Sequence, residues 1–276
     1  MHNSAKLFLE KTNNINPDIA VILGSGLTNF FEDKNIISSI SYEDLPDFPK
    51  PTVKGHAGKL VLGKISEMNI VCMYGRSHIY EGHEPQSLAK PIRVLKDIGC
   101  KLLIVTNAAG SLDQNMPAGS LMAITDHINW SGFNPLIGIN ADAYGPRFND
   151  MSDGYHKKYR DQLIKTANKI DQKVYEGIYC MYSGPNFETP AEINALKVIG
   201  GNAVGMSTIP EVLVANHCGL PVIAISVITN LAAGMNKTKL SHQETLENAA
   251  LAENNIINLI KNFIHDVKLD DSSGNN

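Results

Sequence analysis

The sequence has no excess of positive charge, and this excludes one broad class of function. Over 276 residues it carries 24 lysines and arginines against 28 aspartates and glutamates, a net charge of −4. A protein that binds nucleic acid irrespective of sequence needs a basic surface to neutralise the phosphates. We therefore expect no nucleic-acid partner.

Cysteine is sparse and irregularly placed. The four cysteines are widely spaced, sit among apolar residues and form no CxxC pair: Cys72, Cys100, Cys180 and Cys218. Zinc sites and disulfide frameworks depend on patterned cysteine spacings. The sequence predicts buried free thiols in a reducing compartment, which indicates a cytoplasmic protein.

Apolar runs of the kind that enter membranes are also missing. The N-terminal segment lacks the run of about 7–15 apolar residues that marks a signal peptide. The longest stretch without a charge, Val212–Asn236, is interrupted by Asn216, Gly219 and Pro221. A core helix followed by a core strand explains this stretch better than a membrane span. We expect a soluble protein with no membrane partner.

Common catalytic signatures are absent as well. The chain has no GxxxxGK[ST] loop, no GxSxG elbow and no HExxH motif. These absences argue against ATP binding by a P-loop, against a serine nucleophile and against a zinc hydrolase. We expect no metal site.

The chain does contain apolar, β-branched runs that alternate with helical patterns. Hydrophobic residues make up 43% of it, which suffices for a buried core. Runs such as KLLIVTN and PVIAISVITN are continuous, as in strands covered on both faces. The predicted strands are Asp18–Gly24, Lys59–Ile65, Asn69–Gly75, Lys101–Asn107, Leu121–Thr125, Val174–Tyr182, Ala203–Met206 and Pro221–Asn230. The predicted helices are Ser4–Thr12, Pro85–Ile98, Tyr155–Lys169, Pro190–Ile199, Pro210–Cys218 and His242–His265.

This pattern predicts a single α/β domain built around a mixed sheet. The domain takes in residues 1–276, with a core at about 18–266 and a polar tail, 267–276, that is expected to fray. Capping-box starts are predicted at Thr189-x-x-Glu192, Thr208-x-x-Glu211 and Ser241-x-x-Glu244.

Small, hydroxyl, basic and amide side chains follow the predicted strands. The segments are Gly24-Ser25-Gly26, Arg76 to Glu81, Asn107-Ala108-Ala109-Gly110, Ser207-Thr208 and Asn230. Ligands of open α/β sheets bind outside the carboxyl ends of the strands. Glycine amides, a serine at a helix start and a bidentate arginine all suit a phosphate. Each feature alone more often marks a turn, a cap or a surface ion pair. Their combination, with His56 as a further candidate, predicts a phosphate site.

The same segments resemble, in order, the motifs of the trimeric purine nucleoside phosphorylases. The matching motifs are Gly24-Ser25-Gly26-Leu27, Gly55-His56-Ala57-Gly58, Gly75-Arg76-x-His78-x-Tyr80-Glu81-Gly82, Thr106-Asn107-Ala108-Ala109-Gly110, Gly184-Pro185-x-Phe187-Glu188-Thr189 and Val204-Gly205-Met206-Ser207-Thr208-x-Pro210-Glu211. The resemblance runs from about Asp18 to His265. Ser77, His83 and Leu231 depart from the pattern, which puts loop packing in question more than activity.

The resemblance implies a mixed sheet that is partly barrel-like and flanked by helices, in a homotrimer. It also implies reversible phosphorolysis of inosine, guanosine and their deoxy forms to a free purine and a pentose 1-phosphate, a step of purine salvage. Inorganic phosphate is then a co-substrate, and no metal or organic cofactor is implied.

The resemblance further implies the site. The phosphate-binding residues are Ser25, His56, Arg76, His78, Ala108 through its backbone N–H, and Ser207. The nucleoside-binding residues are Tyr80 and Met206 at the ribose, His242 at its 5′-hydroxyl, Tyr179 at another hydroxyl, Glu188, Asn230 and Phe187 at the purine, and Phe148 from a neighbouring subunit. Catalytic roles fall to Asn230, His78 and Glu188.

These residue types suit the chemistry. Glycosidic cleavage passes through an oxocarbenium-like transition state, which phosphate can stabilise by its negative charge. Phosphate is itself the nucleophile, so no serine or cysteine nucleophile is needed. The amide of Asn230 can donate to N7 of the departing purine.

Other functions stay open at this point. A methylthioadenosine phosphorylase of the same fold typically carries Asp where this chain has Asn230 and lacks the histidine at His242. A nucleosidase would use water in place of phosphate. A non-catalytic nucleoside-binding protein would not need a second anion site beside the base.

Overall fold

The computed structural model describes residues 1–24, 26–27, 29–53, 57–235 and 241–270, apart from the side chain of Glu244. The strands are β1 (Ile19–Leu23), β2 (Ile36–Ser41), β3 (Lys59–Ile65), β4 (Met68–Tyr74), β5 (Leu102–Ser111), β6 (Leu121–Asn129), β7 (Val174–Met181), β8 (Ala203–Gly205) and β9 (Val222–Leu231). The helices are α1 (Asn3–Lys11), α2 (Pro85–Asp97), α3 (Lys157–Lys169), α4 (Pro190–Val198), α5 (Ile209–His217) and α6 (His242–Asp266).

The strands form one mixed sheet, part of which closes on itself. Its order is β2-β3-β4-β1-β5-β8-β7-β6-β9, and β9 also pairs in parallel with β5. Strands β5, β8, β7, β6 and β9 therefore make a closed ring, while β2, β3, β4 and β1 extend from it as an open sheet. The expected mixed and partly barrel-like sheet is confirmed.

Alternation along the central strands divides the core into two layers. In β1, Ala20 and Ile22 pack on the side of α1, α2 and α5, whereas Ile19, Val21 and Leu23 pack on the side of α3 and α6. Side chains of successive strand residues point to opposite faces, so a fully apolar strand can serve both layers. Within the described residues, no helix combines the length and apolar character needed to cross a membrane.

The predicted elements are all present, but some boundaries differ. Strand β5 continues to Ser111 and β9 to Leu231, so the segment Asn107–Gly110 and Asn230 lie within the strands and not after them. Strand β2 was not predicted. Its sequence IISSIS buries Ile40 alone, so it carries little of the apolar pattern that reveals a strand.

The capping boxes and the tail had mixed outcomes. Thr189 and Glu192 form the predicted box at the start of α4, whereas Thr208 makes no side-chain cap on α5. At the third box, the side chain of Glu244 lies outside the described residues. In the predicted tail, Val267 is buried and the backbone N–H of Asp270 donates to the Tyr159 hydroxyl at 3.0 Å. Residues 271–276 lie outside the described part.

Candidate active site

The strand ends surround a cavity of about 300 Å³. The predicted site residues that line it are Arg76, His78, Tyr80, Ala108, Phe187, Glu188, Met206, Ser207, Asn230 and His242. The other described residues in the lining are Val53, Ala109, Gly110, Pro185, Val204, Gly205, Thr229 and Thr245. Segments far apart in sequence therefore meet in one pocket, as the strand-end pattern predicted.

Among the described residues, two of the predicted ones, Phe148 and Tyr179, are not in this lining. Ser25 and His56 lie outside the described residues. Phe148 is 90% exposed on the connection between β6 and α3. Tyr179 is fully buried in β7, where its hydroxyl accepts a hydrogen bond from the Ser207 backbone N–H at 3.3 Å. In this structure Tyr179 therefore binds the backbone of Ser207 and does not line the cavity.

Arg76 supplies a buried positive charge to the cavity lining. Its side chain is 4% exposed, and Nη1 donates to Glu211 Oε1 at 3.1 Å. Nη2 donates to the backbone carbonyl of Thr106. A buried guanidinium needs such partners to offset the loss of hydration, and they also fix the plane from which it can meet an anion. Glu211 thus acts in the site and not in the cap predicted from its spacing to Thr208.

His78 is held by a carboxylate that the sequence analysis did not assign to any role. Glu81 Oε1 accepts from the His78 backbone N–H at 2.7 Å and lies 3.0 Å from His78 Nδ1. Burial alone would raise the pKa of Glu81, but hydrogen bonds from His78 and Thr52 outweigh it and lower the pKa to about 2. An ionised Glu81 favours a proton on Nδ1 of His78. The His-x-x-Glu spacing was the available signal.

Ser207 is placed by a strained turn at the start of α5. The next residue, Thr208, has a φ of 76°, a conformation that costs energy for a β-branched side chain. Its hydroxyl accepts a hydrogen bond from Asn107 Nδ2 at 2.8 Å, and the Ser207 backbone is bonded to Tyr179. This network keeps the hydroxyl of Ser207 beside Arg76 in the cavity lining.

Glu188 and Asn230 add a carboxylate and an amide to the cavity lining. Glu188 and Asn230 are each 7% exposed. Burial raises the pKa of Glu188, and the nearby charge of Glu192 raises it further. Asn230 Nδ2 donates one hydrogen to the Thr229 hydroxyl at 3.1 Å. The amide nitrogen carries two hydrogens, so a second one remains for a ligand. Glu188 and Asn230 together can therefore bind a ring that carries both donors and acceptors.

Known proteins are similar to this chain in both sequence and fold. The family model of the phosphorylase superfamily matches residues 18–265. Purine nucleoside phosphorylase 1 of Geobacillus stearothermophilus is 44% identical over 95% of this chain and 96% of its own. The purine nucleoside phosphorylase of Mus musculus is 41% identical over 97% and 95%. The Schistosoma mansoni enzyme in complex with inosine has a TM-score of 0.89 at 36% identity, covering 97% of this chain and 96% of that one.

The identity over nearly the whole chain settles the class. The chain belongs to the phosphorylase superfamily, and within it to the purine nucleoside phosphorylases. The resemblance drawn from the sequence motifs is thereby confirmed.

Proposed function

We propose that the protein catalyses the reversible phosphorolysis of inosine, guanosine and their deoxy forms in purine salvage. The observation that carries this proposal is one cavity lined both by Arg76, His78 and Ser207 and by Glu188 and Asn230. The first group suits phosphate and the second suits a purine. The relatives named purine nucleoside phosphorylase, and neighbours solved with inosine or guanosine, support it.

In the proposed reaction, the bond between C1′ of the pentose and N9 of the purine breaks, and a bond from C1′ to a phosphate oxygen forms. The electron pair of the broken bond leaves with the base. Arg76, His78 and Ser207, with Ser25, His56 and the N–H of Ala108, hold the phosphate beside the developing positive charge of the sugar. Inorganic phosphate is the only co-substrate, and no metal or organic cofactor takes part.

Glu188 and Asn230 account for the choice of purine. Ionised Glu188 accepts from the N–H at ring position 1 of a 6-oxopurine. Asn230 donates toward N7 and so stabilises the charge on the departing base. Phe187, which is 37% exposed in the cavity wall, packs against the ring. Tyr80 and Met206 flank the ribose, and His242 reaches its 5′-hydroxyl.

We further propose a cytoplasmic homotrimer in which Phe148 enters the site of the next subunit. The four cysteines are buried free thiols, as predicted, and this suits a reducing compartment. The exposed ring of Phe148 supports its role in a subunit contact.

The test is turnover of inosine with and without phosphate. We expect hypoxanthine and ribose 1-phosphate to appear only when phosphate is present. Hypoxanthine and free ribose in phosphate-free buffer would instead identify a nucleosidase. A third reaction with methylthioadenosine tests the remaining rival, and efficient cleavage of that substrate in place of inosine would contradict the proposal.

A further inference from the structure

The strand that carries Asn230 is irregular where it enters the cavity. In the pairing of β9 with β5, Ala109 lies opposite Ile228 and Gly110 lies opposite Asn230. Thr229 therefore has no partner in β5, as in a β-bulge. An extra residue of this kind bends the strand and redirects the side chain that follows it. The orientation of the Asn230 side chain therefore depends on the backbone conformation at Thr229.

The space around Asn230 is also narrow on the β5 side. A Cβ atom added at Gly110 would lie 3.0 Å from Asn230 Oδ1 and 3.4 Å from the Cα of Ala232. Gly110 thus leaves room for the amide, but it has no side chain with which to hold it.

Asn248 supplies a hydrogen bond from outside the sheet. It lies on α6, and its Nδ2 donates to the backbone carbonyl of Thr229 at 2.6 Å. This carbonyl and the N–H of Asn230 belong to one planar peptide unit. A bond that fixes the carbonyl therefore fixes the plane from which Asn230 departs. On the other side of the bulge, the Thr229 hydroxyl donates to the Ala109 carbonyl at 3.4 Å and accepts from Asn230.

We propose that Asn248 is a positioning residue for base recognition, acting on Asn230 through the carbonyl of Thr229. This inference rests on the proposed role of Asn230 at the purine. The same helix carries His242 and Thr245 into the cavity lining.

A purely structural tie between α6 and β9 is the competing account. The helix is already anchored by Ala249, Ala252 and Ile256, which are all buried. Loss of one hydrogen bond should therefore leave the helix in place, so the two accounts predict different kinetics. A structural tie would affect all substrates equally, whereas a positioning role affects the base more than the phosphate.

The experiment compares Asn248→Ala and Asn248→Asp with the wild type. Aspartate keeps the shape but, when ionised, has no hydrogen to donate to Thr229. We expect kcat/KM for inosine to fall by about tenfold in Asn248→Ala, and further in Asn248→Asp, with the KM for phosphate changed by less than about twofold. The preference for inosine over adenosine should narrow. Asn254→Ala, at an exposed position of the same helix, is the matched control and should leave every constant unchanged.

A double-mutant cycle with Asn230→Ala decides whether the effect passes through Asn230. If it does, Asn248→Ala should add little in the Asn230→Ala background, as judged by kcat/KM for inosine and by binding of hypoxanthine. If the two substitutions lower kcat/KM for inosine additively, the inference is wrong. It is also wrong if Asn248→Ala impairs the use of inosine and of phosphate equally and leaves the preference for inosine over adenosine unchanged. A wild type that cleaves no inosine, or an Asn230→Ala variant with full activity, would instead show that the proposed function or the role of Asn230 is wrong.

Discussion

Arg76 and Glu211 form a buried ion pair whose two members depend on each other. Arg76→Ala should raise the KM for phosphate by on the order of 100-fold, because a charge-assisted anchor is lost. It should also lower the free energy of unfolding by about 3 kcal/mol, because Glu211 is left buried without its partner. Phosphate saturation kinetics and urea unfolding measure the two effects.

The control for this prediction is Arg76→Lys. Lysine keeps the positive charge but cannot form two parallel hydrogen bonds. Stability should largely recover in this variant, while phosphate binding recovers only in part. An unchanged KM for phosphate in Arg76→Ala would show that the phosphate site lies elsewhere.

The burial of Glu188 predicts a pH dependence of the proposed reaction and the direction of that dependence. Since the pKa of Glu188 is raised, this carboxyl takes up a proton at a higher pH than an exposed glutamate does. The protonated form presents a hydroxyl where the base needs an acceptor, so the KM for inosine should rise as the pH falls. Glu81, with a pKa of about 2, stays ionised over the same range and keeps His78 in place.

The matched variant is Glu188→Gln, which cannot titrate. Its KM for inosine should be about tenfold or more above that of the wild type at neutral pH, and the ratio of the two should narrow in acid. The comparison at each pH removes the titration of phosphate itself. A ratio that stays constant with pH would contradict the role given to Glu188.

Asn230 is the residue at which the choice between 6-oxo and 6-amino purines should be altered. A carboxylate in its place would accept a hydrogen bond from a 6-amino group. Asn230→Asp should therefore shift the ratio of kcat/KM values for inosine and adenosine toward adenosine, although Glu188 still opposes it. Buried groups left unpaired can discriminate by on the order of ten-thousandfold. If the wild type cleaves adenosine as efficiently as inosine, then Glu188 and Asn230 are not the residues that select the base.

At the scale of elements, α4 connects helix stability to the base site. Thr189 accepts from the Glu192 backbone N–H at 3.2 Å, and the Glu192 carboxylate accepts from the Thr189 N–H at 2.7 Å. Thr189→Ala should lower the free energy of unfolding by about 1 kcal/mol and, because Glu188 is the preceding residue, raise the KM for inosine. Urea unfolding and inosine kinetics measure this. Thr189→Ser keeps the cap and should change neither quantity.

The strands differ in how far the sequence alone could predict them. Strands β5 and β9 were predictable because their apolar runs are continuous and buried. Strand β2 was not, because only Ile40 is buried there. Local spacing suggested that Glu211 caps α5, but a buried arginine from a distant strand end takes that carboxylate. Tertiary electrostatics of this kind leave no local pattern.

Site residues differ in the same way. His78, Ser207 and Asn230 follow or end apolar strands, so their position at one edge could be predicted. Tyr179 lies within β7, and the sequence there does not reveal whether its side chain faces the cavity or the core next to Ser207. The proposed role of Asn248 could not be predicted from a motif, because it depends on a bulge that forms only when β5 and β9 pair.

At the scale of the whole molecule, the connection between β6 and α3 displays exposed apolar side chains. Phe148 is 90% exposed, and Ile139 and Ile137 are exposed as well. This connection is tied to the body of the protein: Tyr144 donates to Asp97 at 2.9 Å. An apolar surface held in a fixed position is typical of a contact with another protein.

We therefore expect a homotrimer in which Phe148 covers the ribose in the next subunit. Three copies related by a closed rotation make head-to-tail contacts, so each subunit would give one Phe148 and receive another. Phe148→Ala should raise the KM for inosine by about tenfold, because a buried aromatic contact is lost, and should leave the KM for phosphate nearly unchanged. Light scattering on the wild type checks the assembly, and Phe148→Tyr, which keeps the ring, is the kinetic control. A fully active monomer would rule out this arrangement, since a ring that is 90% exposed in one chain could not then reach any nucleoside.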